Sequence, residues 1–146
     1  HCGFPTYFDY NDRQIPQGRK VIQLENVSPE IKSIYFEMVS GYIHHNYTSC
    51  LLLGRKLLMH IAVAQFGAKL KQKFVVYVEH LKGKPEISSN LHYALEQIED
   101  MGNIQNHETI QKVEMEDADL VIKLVEGVLQ NLFTYPKVKD KNFKDL

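Results

Sequence analysis

The chain has two cysteines, Cys2 and Cys50, in 146 residues. That is too few for a disulfide scaffold, so a reducing, cytoplasmic setting is expected. Long apolar runs are also missing. The stretches "IAVA" and "FVVYV" fall far short of the ~20 residues that a membrane-spanning helix needs, and no membrane partner is expected. Eight glycines and five prolines exclude a collagen-like chain, and a content of 44% apolar and 24% charged residues excludes a disordered one. The first residue is His1 rather than Met, with no charged-then-apolar leader behind it, so no signal peptide is expected. There is no internal repeat. What remains is one globular domain with a core of its own.

Charge is nearly balanced overall, at −1, but unevenly spread. Residues 1–95 carry 11 Lys/Arg against 7 Asp/Glu. Residues 96–119 carry 8 acids, from Glu96 to Asp119, against Lys112 alone, a net of −7. A nucleic acid approaching this second region meets repulsion unless the fold turns the acids away.

Residues 1–27 are rich in turn formers and β-type residues and lack a helical apolar period, which predicts short strands or an irregular arm. At Ser28 the pattern changes: Ser as N-cap, Pro29 at the first helical position and Glu30 in the first turn open a helix. Its apolar face runs through Ile31, Ile34, Tyr35, Met38, Val39 and Tyr42. A second helix is predicted from Thr48 to a stop at Gly67, apolar on most sides and so the central, most buried one. The segment "KFVVYVEHL" scores both as strand, by its β-branched run, and as helix, by the steps of Phe74, Tyr77, Val78 and Leu81; it is read as helix. Gly83 and Pro85 break it. Ser89 then caps a fourth helix ended by Gly102. A fifth, "EDADLVIKLVEGVLQNLF", turns Ala118, Val121, Ile122, Val125, Leu129 and Leu132 inward. The expected organisation is an arm over 1–27, an all-α bundle of about five helices over 28–136, and a Lys-rich tail over 137–146.

Few residues suggest chemistry. His107 opens a helix after the turn at Gly102 and Asn103; its simplest role is a hydrogen bond to a backbone carbonyl or to Asn103, and Gly102–Asn103 is explained by left-handed backbone at a helix end. Arg55, in a mostly apolar helix, must reach outward or find a carboxylate, with Glu99 or Glu108 as its natural partner. His44 and His45 point in different directions and cannot form the i,i+4 metal pair. His60 reads as a core-edge histidine, and Lys69, Lys71, Lys73, Lys82 and Lys84 as a solvated face. His1 and Cys2 resemble the end of a zinc ribbon, but four ligands are required and no second cysteine pair follows. No metal site and no cofactor is therefore expected, the arm being at most a truncated zinc-ribbon remnant.

Four pieces taken in order, "HCGFPTYF", "LLLGRKLLMHIAV", "MGNIQNHE" and "DADLVIKLVEGVLQNLFTYP", resemble a bacterial and phage domain-of-unknown-function family that joins a zinc-ribbon-like arm to a HEPN-like helical bundle. The likeness extends from about Pro29 to Pro136. The family's turn motif is close to "IRxxGNxxxHE". Arg55, Gly102, Asn103, His107 and Glu108 match the family, while Glu99 stands where it carries an arginine. The resemblance implies a HEPN-like, homodimeric module that binds RNA or a protein partner in a prokaryotic defence, toxin–antitoxin or phage context. It also carries an alternative, a metal-independent endoribonuclease with Arg55 and His107 as catalytic residues. In such enzymes an arginine stabilises phosphate charge and a histidine places or moves a proton. A purely structural interaction domain is a third reading.

Overall fold

The computed structural model describes residues 19–105 and 112–134, with strand pairs at 7–8 and 14–15; the side chains of the strands and of residues 102–105 fall outside that description. In the arm, β1 (Tyr7–Phe8) and β2 (Gln14–Ile15) pair antiparallel, Tyr7 opposite Ile15 and Phe8 opposite Gln14. Residues 19–27 then run without regular structure onto the helical bundle, where Val27 is buried and Ile22 and Leu24 pack against the core.

Five helices follow. α1 (Pro29–Ile43) starts where the sequence signal predicts, with Ser28 extended and its Oγ accepting from the Ile31 N–H at 3.4 Å. After a short connection α2 (Tyr47–Phe66) runs for 20 residues to Gly67, whose φ of +68° supplies the left-handed cap that ends the helix. The ambiguous segment is helical: α3 spans Phe74–Lys82 and buries Phe74, Tyr77, Val78 and Leu81. Its residues at three- and four-residue steps meet the core, and that burial outweighs the β preference of Val75 and Val76, which stay exposed. Ser88, one residue before the expected Ser89, caps a 3-10 turn at Ser89–Leu91 that leads into α4 (His92–Gln105). α5 (Met115–Leu129) is opened by a capping box in which the Glu114 N–H donates to Asp117 Oδ2 at 2.9 Å, and it closes in a π-type turn at Gln130–Thr134.

Gly102 does not end its helix, contrary to the sequence pattern. α4 continues through Gly102 and Asn103 to Gln105, because glycine permits a left-handed cap without requiring one. A second correction concerns α2. It is central, packing on α1, α3, α4 and α5, but it is not buried on nearly every side: Leu52 is 58% exposed, and Lys56 and His60 lie on the surface. α5 buries as large a share of its length, through Ala118, Val121, Ile122, Leu124, Val125, Val128 and Leu129. By length and a mean hydropathy of 1.2, α2 also meets the requirements of a membrane span that its short apolar runs had seemed to rule out. Here its apolar side chains are spent on neighbouring helices.

The α2–α5 contact is closest at Gly54. A Cβ there would fall on Val121 Cγ1, well inside the 3.0 Å that real Cβ contacts essentially never cross, with Met38 Sδ at 3.6 Å and Val125 Cγ2 at 3.7 Å. The missing side chain lets α2 and α5 approach closely, one residue before Arg55.

Candidate functional site

Of Arg55, Gly102, Asn103, His107 and Glu108, Arg55 is the one whose side chain lies within the described residues. It projects from α2 toward the start of α3, and its guanidinium carbon stands 4.2 Å from the centre of the Phe74 ring, a cation–π contact. Burial pulls the guanidinium pKa below its ordinary value, and the charge of Glu99 on α4 pushes it back up. Among the described residues no direct ion pair joins Arg55 to a carboxylate. The expected partner is therefore half right: Glu99 acts on Arg55 through its field, while the contact is made by an aromatic face. A partly buried cation stacked in this way has its flat surface covered and keeps only its edge for hydrogen bonds.

Gly102 and Asn103 belong to the last turn of α4. His107 and Glu108 lie outside the described residues, so the grouping of Arg55 with His107 is not addressed by the geometry. His44 and His45 are exposed, as predicted. His45 has a φ of +61° and its Nδ1 lies 2.7 Å from the Tyr47 hydroxyl. His60 is exposed on a groove between α1 and α2 and is not a core-edge residue. Of the lysines read as a solvated face, Lys69, Lys71 and Lys73 are exposed, while Lys82 bonds Glu96 at 2.6 Å and Glu79 at 3.4 Å. Among the described residues no cluster of three His, Cys, Asp or Glu side chains is placed to hold a metal ion.

The most developed polar cluster escaped the sequence reading. Arg19, in the arm, donates from one guanidinium nitrogen to Asp119 and from the other to Glu126 at 3.3 Å, and its carbon lies 5.0 Å from the Tyr42 ring. Asp119 and Glu126 are seven residues apart on α5 and share a face. Lys123 bonds Asp119 at 2.7 Å. The buried Tyr35 hydroxyl accepts from the Ile22 N–H at 3.2 Å, and burial, with the charge of Glu126 adding to it, pushes its pKa up to about 12. Burial likewise raises Glu126, against the opposing pull of Arg19. At Asp119 burial acts in the same upward direction, but the bonds from Lys123 and Arg19 outweigh it and hold the carboxyl below its ordinary value. Two cations and two carboxylates balance within this cluster, so it binds the arm to α5 and leaves no net charge for an anion. Asp119 and Glu126, seven residues apart on one face of α5, were the one available signal, and they do not name their partner.

Cys50 is fully buried, its Sγ 3.2 Å from the Met38 carbonyl oxygen, and burial lifts its thiol to about 11. A thiol so held is a packing residue rather than a nucleophile.

The described residues thus form a helical bundle with Arg19 tied to the last helix and with Arg55 stacked on Phe74 near Glu99 of α4. A family model described as a domain of unknown function, DUF4145, matches residues 37–145, and the chain belongs to that family. No curated protein and no solved structure matches. The match begins within α1, so the arm and the first two turns of that helix precede it.

Proposed function

We propose that this chain is a HEPN-like helical module, homodimeric, that acts by binding a protein partner in a prokaryotic defence, toxin–antitoxin or phage setting, and that it does not cut RNA. The observation that carries this reading is the environment of Arg55. In a ribonuclease built on this motif, the cation must meet developing phosphate charge. Here the only motif cation faces Glu99, at the position where the resembling family carries arginine, and its π face lies on Phe74. The charge of Glu99 competes with a phosphate for the guanidinium, and the acid-rich region 96–119 adds repulsion.

The competing reading, an endoribonuclease using Arg55 and His107, predicts a different outcome in one assay. Wild type, Arg55→Ala and His107→Ala are incubated with the same labelled RNA in the absence of metal. The expectation is that wild type cleaves no faster than His107→Ala and that its RNA binding is weak and salt-sensitive. Cleavage by wild type that both substitutions abolish would establish the nuclease. Tight RNA binding without cleavage would make RNA, rather than a protein, the partner. Light scattering on the eluting peak tests the dimer, which is sunk by a mass of 17.0 kDa at all concentrations tried.

A further inference from the structure

A groove of about 390 Å³ runs between α1 and α2. Its floor is apolar: Ile31 and Leu57 are 3% and 2% exposed, and Ile34 packs beside them. Its walls are polar and differ in charge. α1 supplies Glu30 and Ser33, α2 supplies Lys56 and His60, and all four are exposed. The residues of each wall fall three or four apart on one helix face, so the arrangement follows directly from helical periodicity. The walls are also held in place, because only three residues, His44 to Asn46, connect the two helices.

We propose that this groove binds a small zwitterion with an apolar body, an apolar α-amino acid of about the size of phenylalanine. The charge arrangement selects the class. A lone anion drawn to Lys56 meets Glu30, and a lone cation drawn to Glu30 meets Lys56. A molecule carrying both charges satisfies both walls and lays its apolar part on Ile31, Ile34 and Leu57. Glu30 and Lys56 line the same cavity, yet neither takes part in an ion pair among the described residues. Both charges are therefore open to a ligand that enters the groove. The size follows from the volume: at about 30 Å³ for each water-sized unit, the groove holds roughly a dozen non-hydrogen atoms. It also lies within the range of ordinary small-molecule sites, with an apolar lining and a few polar groups that set orientation. Ser33 and His60 supply further hydrogen-bonding groups beside Glu30 and Lys56.

The site is separate from the Arg55 junction, since Lys56 leaves α2 about 100° further round than Arg55. It does not depend on whether the module binds protein or RNA.

The test is an NMR titration of the full chain, with isoleucine and leucine methyl groups labelled, against L-phenylalanine, N-acetyl-phenylalanine and phenylalanine amide. The two blocked forms lack the cation and the anion respectively. The expected result is a saturable shift of the Ile31, Ile34 and Leu57 methyl signals with phenylalanine, and binding at least about tenfold weaker for each blocked form, the scale of one lost charge-assisted bond. Lys56→Gln and Glu30→Gln, both surface substitutions, should each weaken phenylalanine to a similar degree while leaving the methyl spectrum of the free protein folded. The proposal is overturned by equal binding of zwitterion and blocked forms, by unchanged binding in either variant, or by no saturable shift up to about 10 mM, beyond which affinity is too weak to constitute a site.

Discussion

Replacing Gly54 by alanine sets two effects of opposite sign against each other. Alanine in the middle of a helix is favoured over glycine by up to about 1 kcal/mol, because the unfolded chain loses less freedom on folding. Against this stands the position of the new methyl group, which would lie on Val121 Cγ1. Val121 is fully buried on α5, and a valine in a helix is restricted to one dominant rotamer, so it cannot swing aside. Either α2 and α5 separate or Val121 adopts a poor rotamer, at a cost of about 1–3 kcal/mol for an overpacked site. Overpacking should win, for a net loss of about 1–2 kcal/mol. Urea unfolding followed by far-UV circular dichroism gives the number. Val121→Ala alone should cost about 2 kcal/mol by removing buried methyl groups. In the double variant the alanine methyl at position 54 enters the space that Val121 vacates, so the two losses should add to less than their sum by about 1–2 kcal/mol. Equal or greater stability for Gly54→Ala, or strict additivity in the pair, would refute the close approach of α2 to α5.

Other outcomes follow from the same structure. Leu57→Ala should cost about 2–5 kcal/mol in unfolding free energy, because Leu57 is buried in the core at 2% exposure. Arg19→Ala leaves Glu126 partly buried without its cation and should cost about 1–3 kcal/mol, between exposed and buried pairs. Adding Glu126→Gln should recover part of that loss in the same unfolding assay. Because burial raises Glu126 above its ordinary value of 4.5, its folded form prefers the proton. The stability it contributes is therefore fully present below 4.5 and lost as pH rises through the folded value, so Arg19→Ala should be least handicapped in acid. Asp119 has the opposite sign. Its carboxyl is held below 3.8, so its contribution is present above that pH and lost below it, and Asp119→Asn should flatten the acid limb of a stability–pH curve.

Much of the fold was legible because its signals are local. Ser28–Pro29 opens α1, Gly67 closes α2, and the apolar steps of α1 and α5 declare the buried faces without reference to the rest of the chain. Two readings failed where a local signal was permissive rather than decisive. Glycine at 102 allows a helix end and does not compel one, and the composition of α2 told how apolar the helix is but not which side its neighbours leave bare. The polar site was less legible still. Arg55 was visible as an anomaly in an apolar helix, but its covering by Phe74 depends on how α3 lies across α2. Arg19 offered no signal at all, since its partners sit on a helix at the far end of the sequence.

The 100 residues between Arg19 and Asp119 bear on the order in which the molecule assembles. A ribosome delivers residue 19 well before α5, so Arg19 can meet Tyr42 of α1 early but cannot reach Asp119 and Glu126 until the intervening helices exist. Helices α1 to α3 meet through short connections and can associate early. The arm's attachment is a contact of high sequence separation, the kind that forms late in folding. A contact that forms last is also the natural first to open. The Ile22 amide, bonded to Tyr35, should then exchange its hydrogen with solvent well before the amides of α2, through a partial opening in which residues 19–22 detach while the helices stay packed.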